Sequence, residues 1–377
     1  MDISTTCVHG CKKKYDTTGA VSVPIFASST FAHPGVGQST GFDYSRTQNP
    51  TKEHLEQTVT ALEGGEDTIA FSSGMAAVST LMELFSPGDH IIASYDLYGG
   101  TFRIFTHISE KNGIKFSYAV NTEEILKKIT PATKAVFIET PTNPMMNVID
   151  IAAVSQITKK ENLLLIVDNT FLTPIFQKPL ALGADIALHS GTKYLGGHND
   201  TLAGMLTVNT VDLSKKLRYI SKTTGSSLSP FDSFLIIRGI KTLAIRMERH
   251  NKTAQAAAKW LTGQSKIKKV FYIGLQDHPD YEISCRQASG FGGMISFYVD
   301  NEQTAVSILE NVKIIKYAES LGGTESLITY PVLQTHADLP KDEREARGIN
   351  GCLLRLSIGL EALDDIISDL EQAIGGK

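Results

Sequence analysis

From about residue 50 to residue 210, short apolar runs alternate with longer amphipathic stretches. The runs cover 68–71, 90–93, 135–138, 163–167 and 186–188. Between them, 55–63, 76–85, 101–112, 123–129 and 151–160 carry helical spacing. Strands alternating with helices predict an α/β unit, a mostly parallel sheet covered by helices. The runs are continuously apolar, as expected of strands buried on both faces. Residues 1 to about 45 are rich in Thr, Ser, Gly and Pro, show no sustained period, and read as irregular. Past residue 215 the pattern changes. Residues 235–259 read as one long helical stretch with a break near Gly239. The stretches 293–299 and 352–358 alternate like half-buried strands, and 362–374 is helical. The division expected is an arm (1–48), a large domain (49–246) and a smaller α+β C-terminal domain (247–377).

Composition narrows the partners. The 377 residues are 42% hydrophobic and 20% charged, with 36 basic and 40 acidic side chains and a net charge of −4. That balance predicts no attraction to nucleic acid or to an anionic membrane. The short basic cluster Lys12-Lys13-Lys14 reads as solvated surface. No apolar run approaches bilayer-spanning length. Residues 1–15 hold no apolar core of signal-peptide length, so a cytoplasmic location is expected. Four cysteines in such a chain make no disulfide framework, which suits a reducing compartment. Cys7, His9 and Cys11 lie close together, but three ligands on an arm without a second cluster predict no metal site.

Candidate chemistry sits after the apolar runs, where open α/β sheets bind ligands. Ser72-Ser73-Gly74-Met75-Ala76-Ala77 opens a helix whose free N–H groups suit a phosphate. The other runs are followed by Tyr95-Asp96-Leu97-Tyr98-Gly99-Gly100, Glu139-Thr140-Pro141-Thr142-Asn143-Pro144, Asp168-Asn169-Thr170 and His189-Ser190-Gly191-Thr192-Lys193. Each piece has an ordinary reading alone: a capping Asp168, a turn residue at Asn143, a core aromatic at Tyr98, a surface lysine at 193. Together they fit one ligand with a phosphate, an aromatic ring, a ring nitrogen that wants a carboxylate, and an aldehyde that wants an amine. Pyridoxal 5′-phosphate meets all four demands. Lys193 would condense with the aldehyde and then act as a base at Cα. The competing motifs lack their context. Gly35-Val36-Gly37 follows Pro34 rather than a strand, and neither a phosphate-loop GxxxxGK[ST] nor an HExxH occurs.

At these residues the sequence resembles the Cys/Met-metabolism, or trans-sulfuration, family of pyridoxal-phosphate enzymes. The matches are Tyr44-Ser45-Arg46-Thr47-Gln48-Asn49-Pro50-Thr51, the strand-end segments above, Glu319-Ser320-Leu321-Gly322-Gly323 and Arg355-Leu356-Ser357-Ile358-Gly359. They run in family order from about residue 20 to 360. The resemblance implies fold-type I, the aspartate aminotransferase architecture, and a homotetramer built from two dimers. It places Tyr44 and Arg46 on the neighbouring subunit's phosphate, and Gly74, Met75, Ser190 and Thr192 on the phosphate in cis. It stacks Tyr98 on the ring, sets Asp168 against the ring nitrogen, and puts Asn143 near the ring hydroxyl. Arg355, with Ser320 assisting, would hold the substrate α-carboxylate. The alternation in 352–358 agrees: Leu354, Leu356 and Ile358 share one face and Arg355 points to the other.

The family includes cystathionine γ-synthases, γ- and β-lyases, methionine γ-lyases and O-acylhomoserine sulfhydrylases. Gly100 stands where methionine γ-lyases usually carry a cysteine, which argues against that branch. Glu319 before Ser320, with Asp43 and Arg103, resembles the distal pocket of a γ-synthase. So do Gly41-Phe42-Asp43-Tyr44 and Gly196-Gly197-His198-Asn199-Asp200. The expected reaction is γ-replacement on O-acetyl- or O-succinylhomoserine by cysteine, with Lys193 and Tyr98 moving protons. Cleavage of cystathionine by a γ- or β-lyase is the alternative, with an O-acylhomoserine sulfhydrylase beside it. A non-catalytic pyridoxal-phosphate-binding regulator fits poorly with an intact set of Lys193, Tyr98, Asp168 and Arg355.

Overall fold

The structure is a computed structural model that describes every residue except 12, 14, 16, 338, 339, 376 and 377. Seven strands form the central sheet: β1 (Asp67–Phe71), β2 (His90–Ser94), β3 (Lys115–Ala119), β4 (Thr133–Glu139), β5 (Leu164–Asp168), β6 (Ile186–Ser190) and β7 (Gly204–Val208). Their order is β1-β7-β6-β5-β4-β2-β3. β2 to β6 run parallel, and β7 is antiparallel to both of its neighbours. The five apolar runs are all strands. β3 and β7 carry no such run, for different reasons. β3 is an edge strand with most residues half-exposed, so it need not be apolar. β7 is fully buried but includes Thr207, whose hydroxyl meets that of Thr68 at 2.9 Å inside the core.

Both sheet faces are covered. Ile69, Phe71, Phe137, Ile166 and Leu188 pack under α3 (Gly74–Met82) through Val78 and Leu81. Ile92, Val136, Ile138 and Val167 pack on the opposite side against Val154 of the helix Ile151–Lys160. The expected helix over 101–112 departs from regular geometry. It is α4 (Gly99–Arg103), continuing as a π-helical turn over Ile104–Ser109. A spacing near 3.6 residues does not distinguish these two windings.

A second sheet follows, with strands β8 (Ile267–Phe271), β9 (Met294–Val299), β10 (Lys316–Tyr317), β11 (Leu327–Thr329) and β12 (Leu353–Ser357) in the order β10-β11-β12-β9-β8. Only the β10–β11 pair is parallel. Leu354, Leu356 and Ile358 pack against Ile366 and Leu370 of the helix Leu363–Gly375. Alternation along β12 puts Arg355 on the other face.

The long helical stretch is two helices, Pro230–Ile240 and Leu243–Thr262. The break comes at Lys241-Thr242, just beyond Gly239. Gly239 itself is needed for contact: a Cβ there would lie 2.1 Å from the carbonyl oxygen of Gly196. The buried Arg246 then donates to the carbonyls of Tyr194 at 2.8 Å and Gly239 at 2.8 Å. These contacts brace the segment that carries Lys193.

The N-terminal region is less irregular than its composition implies. α1 (Ile3–His9) is capped by Asp2, whose carboxylate accepts from Ser4 N. It docks by burying Cys7 in a core shared with Leu55 and Val59 of α2 (Pro50–Glu63). Its ISTTCVH sequence has too few apolar positions to show a period. Cys11 Sγ instead points at Gln57 Oε1, 3.2 Å away. Among the described residues no group of three His, Cys, Asp or Glu side chains is placed to hold a metal. Lys13 pairs with Glu53, while Lys12 and Lys14 lie outside the described residues. No helix among the described residues is long and apolar enough to cross a membrane.

Candidate active site

The carboxyl ends of the central strands open into a cavity of about 210 Å³. β1 feeds α3, whose Ncap Ser73 accepts from Ala76 N at 3.0 Å and leaves the N–H groups of Gly74 and Met75 at the cavity wall. Ser190 and Thr192 stand beside them, with the Ser190 side chain 3.3 Å from where a Gly74 Cβ would be. The segment after β2 supplies Tyr98, β4 ends in Glu139, and β5 ends in Asp168. Asp168 Oδ1 accepts from Thr170 N at 3.0 Å and Thr170 Oγ1 at 2.6 Å. The second sheet closes the cavity with Glu319, Ser320 and Arg355.

Lys193 and Arg355 meet at Ser320. Lys193 Nζ donates to Ser320 Oγ at 2.8 Å, and Arg355 Nη2 donates to the Ser320 carbonyl at 2.9 Å. Ser320 has φ +93°, a left-handed conformation that a serine holds only when its surroundings impose it. Arg355 Nη1 also donates to Asn143 Oδ1 at 2.8 Å, while Nε is buried without a partner.

The electrostatics follow from burial. Desolvation, helped by the nearby Arg355, pushes the Lys193 amine down from 10.5 to about 8, and Glu319 opposes the shift. Burial raises the carboxyls of both Asp168 and Glu139. A neutral amine is the nucleophile, so a lowered value exposes it at lower pH. In cofactor-free protein, trinitrobenzenesulfonate labelling of the Lys193 peptide is expected to rise with a midpoint near pH 8, read by mass spectrometry. A midpoint at the ordinary 10.5 would contradict this environment.

Eleven of the fifteen residues singled out in the sequence line this cavity: Gly74, Met75, Tyr98, Asn143, Asp168, Ser190, Thr192, Lys193, Glu319, Ser320 and Arg355. The other four do not line it within one chain. Tyr44 is half-exposed, with the Arg46 guanidinium 5.7 Å from its ring centroid, and Arg46 also donates to the Lys222 carbonyl. Asp43 accepts from Ser39 Oγ at 3.0 Å and lies 3.6 Å from His33 Nε2. Arg46 and Asp43 line a separate cavity of about 920 Å³ beside the helix Val211–Thr224. Arg103 lines a third cavity of about 280 Å³, which shares Thr335 with the first. Glu139, Thr170 and Thr335 also line the first cavity and were not among the residues expected there. The signal for Glu139 was present, since it ends a buried run as Asp168 does.

The contents of the cavity suit pyridoxal phosphate on structural grounds. Amide groups at a helix start, a carboxylate, a buried amine and a guanidinium with a partnerless buried nitrogen surround one space. Solved structures agree with the fold. Cystathionine γ-lyase from Lactobacillus plantarum, solved with L-serine, is 43% identical with a TM-score of 0.96, over 100% of this chain and 99% of that one. Fold and site together define a fold-type I pyridoxal-phosphate enzyme. A sequence model of the Cys/Met metabolism PLP-dependent enzymes matches residues 4–375. The chain is 46% identical to cystathionine β-lyase of Lactococcus lactis over 100% of its length and 99% of that protein's. It is 47% identical to cystathionine γ-synthase of Haemophilus influenzae, over 98% and 97%. The chain belongs to the Cys/Met metabolism family of PLP-dependent enzymes, and its class of chemistry is trans-sulfuration.

Proposed function

We propose that this enzyme is a cystathionine γ-synthase, which replaces the acyloxy group of O-acetyl- or O-succinylhomoserine with the thiol of cysteine. One observation carries the reading: Arg355, Lys193 and Glu319 share one cavity, and Ser320 bonds the first two. Arg355 holds the substrate α-carboxylate, and Lys193 stands at Cα. Glu319 offers a carboxylate to the ammonium of a second amino acid, as the joining of two amino acids requires.

When bound, pyridoxal phosphate supplies the aldehyde that Lys193 engages and a ring that draws electrons from the substrate carbanion. Gly74, Met75, Ser190 and Thr192 would hold its phosphate, Asp168 would face its ring nitrogen, Tyr98 would lie against its ring, and Asn143 would lie near its hydroxyl. Lys193 Nζ takes the α-proton of the substrate, and Tyr98 assists proton transfer. A β-proton is then removed, the C–O bond at Cγ breaks and the carboxylate leaves. The cysteine sulfur forms the new C–S bond and gives up its proton, which balances the departing acid, and the α- and β-protons are returned to carbon. Tyr44 and Arg46 reach the phosphate of a neighbouring subunit in a homotetramer, which accounts for their distance from the cavity of their own chain. Asp43 and Arg103 line the approach to the distal end of the substrate. The same reading divides the chain into an arm to residue 48, a cofactor domain to 246 and a C-terminal domain beyond.

The second reading is a cystathionine lyase. It is favoured by the chain's 46% identity to the Lactococcus β-lyase, almost level with its 47% identity to the Haemophilus γ-synthase. Product masses separate the two. O-acylhomoserine with cysteine is expected to yield cystathionine, whereas cystathionine alone is expected to be turned over slowly. Rapid conversion of cystathionine to a keto acid and a thiol amino acid, with no synthesis from the first mixture, would replace the synthase by a lyase.

A further inference from the structure

Glu139 is a buried carboxyl of the cavity with no task in the scheme above. It ends β4 directly opposite Asp168 in register on β5. Neighbouring parallel strands lie about 4.8 Å apart, and register partners project to the same face. Both side chains accordingly line the same cavity. Glu139 is only 5% exposed. Its Oε2 accepts from the backbone N–H of Tyr98 at 2.8 Å, and its own N–H donates to Ser94 Oγ at 3.0 Å.

The charges around it do not favour a second anion. Asp168 faces it from β5, and Asp96, which accepts from Thr142 Oγ1 at 2.6 Å, repels it as well. The cations of the cavity place their hydrogen bonds elsewhere, Lys193 on Ser320 and Arg355 on Asn143, Ser320 and Thr329, so Arg355 attracts Glu139 only from beyond contact. Among the described residues, Glu139 has no ion-pair partner within 4.0 Å. A bound pyridinium ring balances one carboxylate, and on the placement proposed above that one is Asp168. Two adjacent buried carboxyls with one contacting counter-cation retain one proton between them, since Arg355 acts on Glu139 only from a distance and His189, beside Asp168, is bonded to Glu63.

We propose that Glu139 is a positioning residue, a neutral carboxylic acid whose carbonyl oxygen holds the Tyr98 backbone in place and leaves Asp168 as the single anion at the ring nitrogen. Burial, reinforced by the neighbouring Asp168, does raise the Glu139 carboxyl well above the ordinary range. Tyr98 begins α4 without a side-chain cap, so the contact with Glu139 is what ties its N–H to the sheet. The inference rests on the proposed placement of Tyr98 and Asp168.

The test compares Glu139→Gln with Glu139→Ala. Glutamine keeps a carbonyl acceptor and adds no charge. It is expected to leave cofactor affinity and the pH profile of kcat/KM within about threefold of wild type. Alanine leaves the partly buried Tyr98 N–H without its acceptor and is expected to weaken cofactor affinity by about tenfold. Infrared difference spectra, wild type minus Glu139→Gln, are expected to show the carbonyl stretch of a protonated carboxylic acid, with and without cofactor. A difference band from an ionised carboxylate, or a Glu139→Gln variant as damaged as Glu139→Ala, would overturn the inference. A Tyr98→Ala variant that binds the cofactor as wild type does would overturn its positioning half, while the infrared band reports on Glu139 independently.

Discussion

Replacing Lys193 with alanine is expected to lower turnover by roughly two to four orders of magnitude, the range in which a positioned acid–base group acts. The loss should be chemical and not structural. The backbone bonds of the segment, Lys193 N to Ser190 O at 3.2 Å and Gly197 N to the Lys193 carbonyl at 2.7 Å, survive the substitution. The side chain forms a single hydrogen bond, to Ser320 Oγ, and its charge is opposed by burial and by Arg355. Removing it relieves a buried like-charge pair, so the unfolding midpoint should hold or rise. The covalent role has its own readout. Borohydride treatment of the wild type is expected to fix the cofactor mass on the Lys193 peptide. Lys52 is a competing buried amine, likewise lowered chiefly by desolvation, but it donates to Thr47 O and Ser227 Oγ and lines the separate 920 Å³ cavity. Cofactor mass on the Lys52 peptide, or a Lys193→Ala variant with undiminished turnover, would remove Lys193 from the mechanism.

Lys193 was legible because the physics of a buried strand leaves a clear trace. Ile186–Leu188 is continuously apolar, the break to Ser190 marks the sheet edge, and the residues just beyond that edge must lie where ligands bind. The same logic found the ends of β1, β2, β4 and β5. β3 was not legible because an edge strand is free to be polar, and β7 because Thr207 is satisfied by a partner 139 residues away. Such pairings are set by tertiary contact and leave no local period. α1 escaped for a related reason: it is held by the burial of Cys7 and not by an amphipathic face.

The site shows a parallel division. Residues that reach the cavity from strand ends were found individually. Their mutual arrangement was not, because it depends on how the second sheet lies over the first. Ser320 illustrates this: a serine at φ +93° has no sequence signature, yet it joins Lys193 to Arg355. Glu139 illustrates the reverse case. Its position was readable, but its function depends on the register that sets it beside Asp168. Tyr44 and Arg46 lie away from the cavity of their own chain, and in the proposal above they act across a subunit boundary.

Arg355 should matter nearly as much as Lys193, but through binding. The residue is 2% exposed, and its guanidinium is bonded only to neutral oxygens, with Nε unsatisfied and no carboxylate within 4.0 Å among the described residues. Burial pushes its proton affinity down to about 10, which still leaves it charged at neutral pH. A buried cation that no carboxylate contacts, with Glu319 and Glu139 acting only from a distance, is poorly compensated in the free site and is stabilised when an anion arrives, so a substrate α-carboxylate gains more than it would at a surface arginine. Charge-assisted bonds contribute about 1.5–3 kcal/mol each. Arg355→Leu is therefore expected to lower kcat/KM by roughly a thousandfold, chiefly through KM. Arg355→Lys keeps the charge but loses the fork and should fall between. The decisive comparison is the substrate against its α-carboxamide: the wild type should discriminate strongly, and Arg355→Leu hardly at all. A purely structural arginine predicts the opposite pattern, a large fall in thermal midpoint with discrimination intact. Because no carboxylate contacts the charge in the free protein, its removal should instead lower the midpoint far less than it lowers discrimination, and that asymmetry between stability and discrimination is the mark of a residue held ready for a carboxylate.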